Sequence, residues 1–204
     1  MPKKGKSAAV TCQCGKVRLS AACAPISATI CYCSSCQQAG QMFEKLPSAP
    51  RVMDADGGTP VILYRKDRVR CETGKEHLEE FRLKPGSPTR RVMAACCNSP
   101  MFLDFTKGHW LSIYRNRFPD GGPPVEMRLM TKERPAGVVL AGKAHNHEGF
   151  SGKLMLKLIL AWIAMGFRRP DMGLSGIPGV GNASCHGNSE NQVINEPAVT
   201  DRLT

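Results

Sequence analysis

Two groups of cysteines in this chain are spaced for metal chemistry. Cys31-Tyr32-Cys33-Ser34-Ser35-Cys36 holds three thiols in one short run, and Cys12-Gln13-Cys14-Gly15 holds two more upstream. Core filling does not call for thiols so close together. Thiolates at these spacings are the soft donors of a metal site, with zinc the default ion. Cys33-Ser34-Ser35-Cys36 is a Cys-x-x-Cys chelate whose small intervening residues let the backbone curl round an ion, and Cys31 adds a third thiolate. Three thiolates leave one tetrahedral position open, which separates a catalytic zinc from a structural one. Cys12 and Cys14 need distant partners. The later clustered thiols are Cys96 and Cys97, in Ala94-Ala95-Cys96-Cys97-Asn98-Ser99-Pro100. A site uniting Cys12 and Cys14 with one or both of these would staple two halves of a domain. The expectation is therefore a structural zinc at the first group and, unless a fourth ligand arrives from elsewhere in the chain, a catalytic zinc at Cys31, Cys33 and Cys36.

The remaining composition fits this reading. The chain has 204 residues and ten cysteines. Met1 to Lys6 is basic, but no apolar stretch follows it, so a reducing, cytoplasmic setting is expected, where thiols stay free or bind metal. The net charge of +11 attracts anions, a small acidic thiol such as glutathione among them. Arg and Lys are scattered without an aromatic-interleaved stripe or a recognition-helix pattern, which argues against nucleic acid and for solvated surface charge. There is no phosphate loop, dinucleotide fingerprint or nucleophile elbow. Cys23 and Cys71 read as small buried hydrophobes. His145-Asn146-His147 reads as a polar loop, and Cys185-His186 as part of a tail.

The elements that must position these residues are short. Val10 to Leu19 alternates as strand, with a turn at Cys14-Gly15, and Ile26 to Cys33 reads as a second strand. Ser34 to Gly40 reads as a tight knuckle or a single helical turn. Further β runs are expected at 60–64, 68–72, 77–83, 91–96, 110–114 and 126–130, separated by turns such as 84–88 and 120–124. A mainly β fold follows, a sandwich or barrel of short antiparallel strands. Leu154 to Phe167 is apolar round most of its circumference and reads as a helix that is buried or docked, against the domain or a second copy; a membrane-surface element is the next reading, and the segment is short for a span. The expected layout is a basic arm (1–7), a zinc-binding domain (8–150), the apolar helix (151–170) and a flexible tail (171–204).

Taken together, Cys12-x-Cys14-Gly15, Cys31-x-Cys33-x-x-Cys36 and Cys97-Asn98-Ser99-Pro100 resemble the glutathione-dependent formaldehyde-activating enzyme and centromere protein V family over residues 8 to 130. The resemblance implies a β-tent zinc fold. It implies structural zinc at Cys12, Cys14 and Cys97, and an active-site group at Cys31, Cys33 and Cys36 that works on a glutathione–aldehyde adduct as a carbon–sulfur lyase. A non-catalytic zinc scaffold for a protein partner is the alternative. The chain departs from the family in three places: Ala94 stands where the late Cys-x-x-Cys has a ligand, Tyr32 where a histidine is usual, and Gln37-Gln38 where basic residues are usual. The Ala-Cys-Cys-Asn-Ser-Pro form and the C-terminal helix look like a bacterial subgroup of the family.

Overall fold

The computed structural model describes residues 7–170. The first strand, β1 (Ser7–Thr11), turns back into β2 (Arg18–Ala22), and the pair is antiparallel with Val10 opposite Leu19. With β5 (Val69–Thr73) beside β2 they make a three-stranded sheet. The other strands are β3 (Ser27–Cys31), β4 (Thr59–Arg65), β6 (Leu78–Phe81), β7 (Thr89–Ala94), β8 (Ser99–Phe105), β9 (Trp110–Tyr114), β10 (Met127–Leu129) and β11 (His145–Asn146). They form an eight-stranded sheet in the order β11-β10-β3-β4-β9-β8-β7-β6. Among the described residues, two α-helices complete the fold, α1 (Ser34–Phe43) and α2 (Gly152–Ile163).

Strand alternation divides the core in two. On β4, Ile62 and Tyr64 face the small sheet, where they join Val10, Leu19 and Val69. Their neighbours Val61 and Leu63 face the other way and pack with Ala39 and Phe43 of α1 and Leu154 and Leu158 of α2. The result is three layers, small sheet on large sheet on helices. The two cysteine groups belong to different layers. Cys12 packs into the sheet–sheet core, whereas Cys31 ends β3 and Cys36 lies in α1 on the helix-covered face.

The mainly β expectation holds, with local differences. Ser34 to Gly40 is not a knuckle but the start of a ten-residue helix, because Ala39, Gly40 and Phe43 give the segment an inward face. The strand expected over 91–96 stops at Ala94, and the strand at Ser99–Phe105 has no counterpart in the sequence reading. Its second residue is Pro100, a turn signal that is tolerated at a strand's beginning. Two pairings are parallel, β10 with β3 and β10 with β11, where antiparallel neighbours were expected. Cys23 is exposed, at a positive φ of 63°, rather than buried. His145 and Asn146 are a short edge strand rather than loop. Three basic residues, Lys66, Arg91 and Arg117, are buried rather than solvated. Helix α2 docks on the domain through Leu154 and Leu158, while Leu156, Leu160 and Ile163 on its other sides are exposed. No helix among the described residues is long and apolar enough to cross a membrane. Residues 1–6 of the basic arm, the tail at 171–204 and Cys185-His186 lie outside the described residues.

Candidate metal centres

The turn between β1 and β2 supplies the first two thiols. Gly15 closes it at φ +78°, a left-handed conformation that costs a residue without a Cβ little. The Gly15 N–H donates to the Cys12 carbonyl at 3.1 Å, and the Val17 N–H donates to the Cys12 sulfur at 3.3 Å. The other half comes from the connection between β7 and β8. There the chain leaves strand geometry for a short 3₁₀ turn, Ala95–Cys97, and Asn98 ends it in the left-handed region at φ 49°. Successive side chains on a strand point to opposite faces, but in this turn Cys96 and Cys97 face the same place. Ala94, where a ligand was expected, is a buried strand residue, and Cys96 stands in the cluster instead.

The sulfur geometry fits a tetrahedral ion. Four sulfurs about 2.3 Å from a common centre lie about 3.8 Å apart. Here Cys12 to Cys14 is 3.6 Å, Cys12 to Cys96 3.9 Å, Cys14 to Cys96 3.4 Å and Cys96 to Cys97 3.9 Å. These separations are far longer than a disulfide bond of about 2.05 Å. Ser99 ties the halves together: its hydroxyl accepts from the Gln13 N–H at 3.1 Å and lies 3.1 Å from the Cys97 sulfur. Burial pushes the Cys97 thiol up, but bonds from the Ser99 hydroxyl and the Cys14 backbone outweigh it and bring the thiol down to about 6. Burial pushes the Cys12 thiol up.

The second group sits at a strand-to-helix junction. Cys31 is the last residue of β3, Cys33 is the N-cap of α1, and Cys36 lies in its first turn. The N–H groups of Cys36 and Gln37 donate to the Cys33 carbonyl at 2.9 and 3.1 Å, winding the chain round the three sulfurs. These sulfurs lie within 4.8 Å of one another, and no fourth cysteine, histidine or carboxylate joins them among the described residues. Hydrogen bonds from the Cys31 and Cys36 thiols pull the Cys33 thiol well down, and the same contacts hold Cys31 and Cys36 up. The N-terminus of α1 also favours negative charge at Cys33.

Two departures from the family pattern have structural roles. Tyr32 points away from the sulfurs and donates its hydroxyl to Asp56 at 2.7 Å. Its ring fills the space beside Gly58, where a Cβ would come within 2.8 Å of it. Gln37 spans from the Tyr32 carbonyl to the Glu133 carbonyl, at 2.5 and 2.7 Å. Glu133 in turn accepts the Ser34 N–H at 2.7 Å, closing the first turn of α1.

Sequence reasoning missed Arg91. It is 2% exposed, on β7, and its Nη2 donates to the Ser35 carbonyl at 2.9 Å, between Cys33 and Cys36 in the chain. No carboxylate pairs with it among the described residues, and its Nε has no hydrogen-bond partner there. A buried unpaired cation is costly, whereas three thiolates and a divalent ion leave one net negative charge for it to offset. The donors therefore fit zinc in both places: four sulfurs at tetrahedral spacing in one, three sulfurs beside a buried guanidinium in the other. The available signal was a strand residue, Arg91, sharing its face with Met93, with Thr89 two residues before.

The sequence pattern of the family described as glutathione-dependent formaldehyde-activating enzyme matches residues 7–116, more than half of the chain. No curated protein matches it significantly. Among solved structures, a Rhodobacter sphaeroides protein aligns at 15% identity and a TM-score of 0.41, covering 56% of this chain and 91% of that one.

Proposed function

Since the chain belongs to the glutathione-dependent formaldehyde-activating family, we propose that it is a zinc-dependent enzyme of thiol–aldehyde adducts, with Cys31, Cys33 and Cys36 at the reacting centre and Cys12, Cys14, Cys96 and Cys97 holding a structural ion. The observation that carries this reading is the three-thiol group at the start of α1, whose Cys31 and Cys36 also line the large apolar cavity under α2.

The reaction is a reversible addition. The sulfur of a thiol such as glutathione bonds to the aldehyde carbon, the carbonyl π pair moves to oxygen, and that oxygen takes the thiol's proton. Nothing is oxidised or reduced. A zinc ion held by Cys31, Cys33 and Cys36 would supply a Lewis acid that lowers the pKa of a bound thiol or polarises a carbonyl. The protein's own groups prepare the place. Glu133 and Gln37 fix the turn that carries Cys33, and Arg91 offsets the negative charge of the thiolates. The net charge of +11 favours approach of an anionic thiol peptide.

The test is turnover of glutathione with formaldehyde by zinc-loaded protein, followed as loss of free aldehyde above the uncatalysed rate. Wild type is expected to accelerate it and Cys33→Ser to lose at least about 100-fold, in keeping with removal of a metal ligand. Equal turnover by the two proteins would rule the proposal out.

A further inference from the structure

The cavity that meets the thiols is larger and more apolar than a one-carbon aldehyde needs. It has a volume of about 460 Å³ and lies between the helix-covered face of the large sheet and α2. Its floor is built from Val61, Leu63, Leu103 and Leu129, which alternation turns to this face. Its roof is Leu154, Met155 and Leu158 of α2, with Phe150 just before the helix. Cys31 and Cys36 form part of its wall. Besides the two cysteines, the lining residues with polar side-chain atoms are Thr29, Thr89, Ser112 and Trp110, and no charged side chain lines it among the described residues. The roof comes from beyond residues 7–116, the stretch that matches the family.

Size and chemistry limit what this chamber can take. Its volume is in the range of pockets that enclose organic molecules of many atoms, roughly 300–1,000 Å³. Formaldehyde would leave most of it unfilled. Glutathione's carboxylates and ammonium group would have to shed water with no charged partner to receive them. An alkyl chain or an aromatic ring has neither problem. The roof is also fastened in place. The His109 Nε2 lies 2.8 Å from the Leu158 carbonyl, so the ring donates there, its face stacks on Trp162, and Lys157 pairs with Glu126 at 2.5 Å.

We infer that the aldehyde partner carries a medium-length alkyl or an aryl group, which occupies the chamber while its carbonyl carbon faces the thiol group and the anionic thiol stays outside. This inference rests on the thiol–aldehyde reading of the same site and names its substrate class.

Its test uses the zinc-loaded protein with glutathione and the series formaldehyde, butanal, hexanal and octanal, alongside calorimetric binding of n-octanol. Each added methylene is expected to raise kcat/KM about fourfold until the chamber is full. n-Octanol is expected to bind and to compete with octanal. Ser112→Phe, which fills the chamber from β9, is expected to cut the octanal-to-formaldehyde preference at least about tenfold and to abolish n-octanol binding. Met155→Glu, a change at a 45% exposed roof position that the fold tolerates, is expected to do the same and covers a folding failure of the first variant. A flat series with no n-octanol binding overturns the inference. Turnover of formaldehyde without n-octanol binding overturns it too and leaves the reaction standing. Specific n-octanol binding, lost in both variants, with no turnover of any aldehyde, supports the chamber and removes the reaction reading instead.

Discussion

Arg91 is where the chemistry of single residues is most exposed to test. Its Nε is buried without a partner, which costs about 1–3 kcal/mol in the metal-free protein. If its role is to offset the thiolate group, Arg91→Met is expected to leave metal-free stability equal or higher while lowering zinc affinity at the second site about tenfold, in the range of outer-shell changes. Competition with a chromogenic chelator measures this, and unchanged affinity would refute the role. Asn98 offers a second test. It holds φ 49° beside Cys97, and its side-chain amide also donates to the Pro47 carbonyl at 3.0 Å. Asn98→Val is expected to cost about 1–2 kcal/mol through the left-handed backbone alone and to loosen the first site, whereas Asn98→Gly keeps the backbone and loses only the amide bond. Equal melting temperatures for the two variants would contradict this account. Of these residues the sequence announced the cysteines, because thiol spacing is local chemistry. Arg91 and Ser99 act across strands, and their partners are far away in the chain.

At the scale of elements, α2 depends on a titratable anchor. Burial holds the His109 imidazole below its ordinary value; the bond to the Leu158 carbonyl works against this, and the charges of Lys66, Arg169 and Arg65 reinforce it. The unfolded chain therefore takes up a proton at a higher pH than the folded one. The stability tied to His109 is complete above about pH 6.5 and is lost as pH falls through the depressed folded value. Thermal melts followed by the fluorescence of Trp162, which stacks on His109 at 5.6 Å, are expected to show a steeper acid loss in wild type than in His109→Gln. Parallel pH profiles would exclude this anchoring. The same helix shows what patterning can and cannot give. Its apolar character was plain, and so was its existence. Which face would dock was not, because Leu and Ile lie on every side, and the choice is made by His109 and Glu126 from distant segments. Strand Trp110–Tyr114 is found where alternation and flanking turns placed it, while Ser99–Phe105 was hidden behind Asn98 and Pro100.

For the whole molecule, the three-layer arrangement separates the two cysteine groups. The four-sulfur group joins the β1–β2 turn to the β7–β8 turn, and so ties the small sheet to the large one. The three-sulfur group lies on the opposite face, against the cavity and the helices. A mainly β fold and two cysteine groups able to hold a metal could be read from cysteine spacing and turn residues, but the chamber could not. Its walls are drawn from β3, β4, β8, β9 and β10 and its roof from α2, and only the completed sheet brings them together. The proposed function requires two zinc ions held in unequal ways. Native mass spectrometry of zinc-loaded wild type and of Cys33→Ser tests it most directly. Two zinc ions per chain in wild type, and one in the variant with the fold retained, is the predicted result; fewer than two in wild type, or the same count in both proteins, would contradict it.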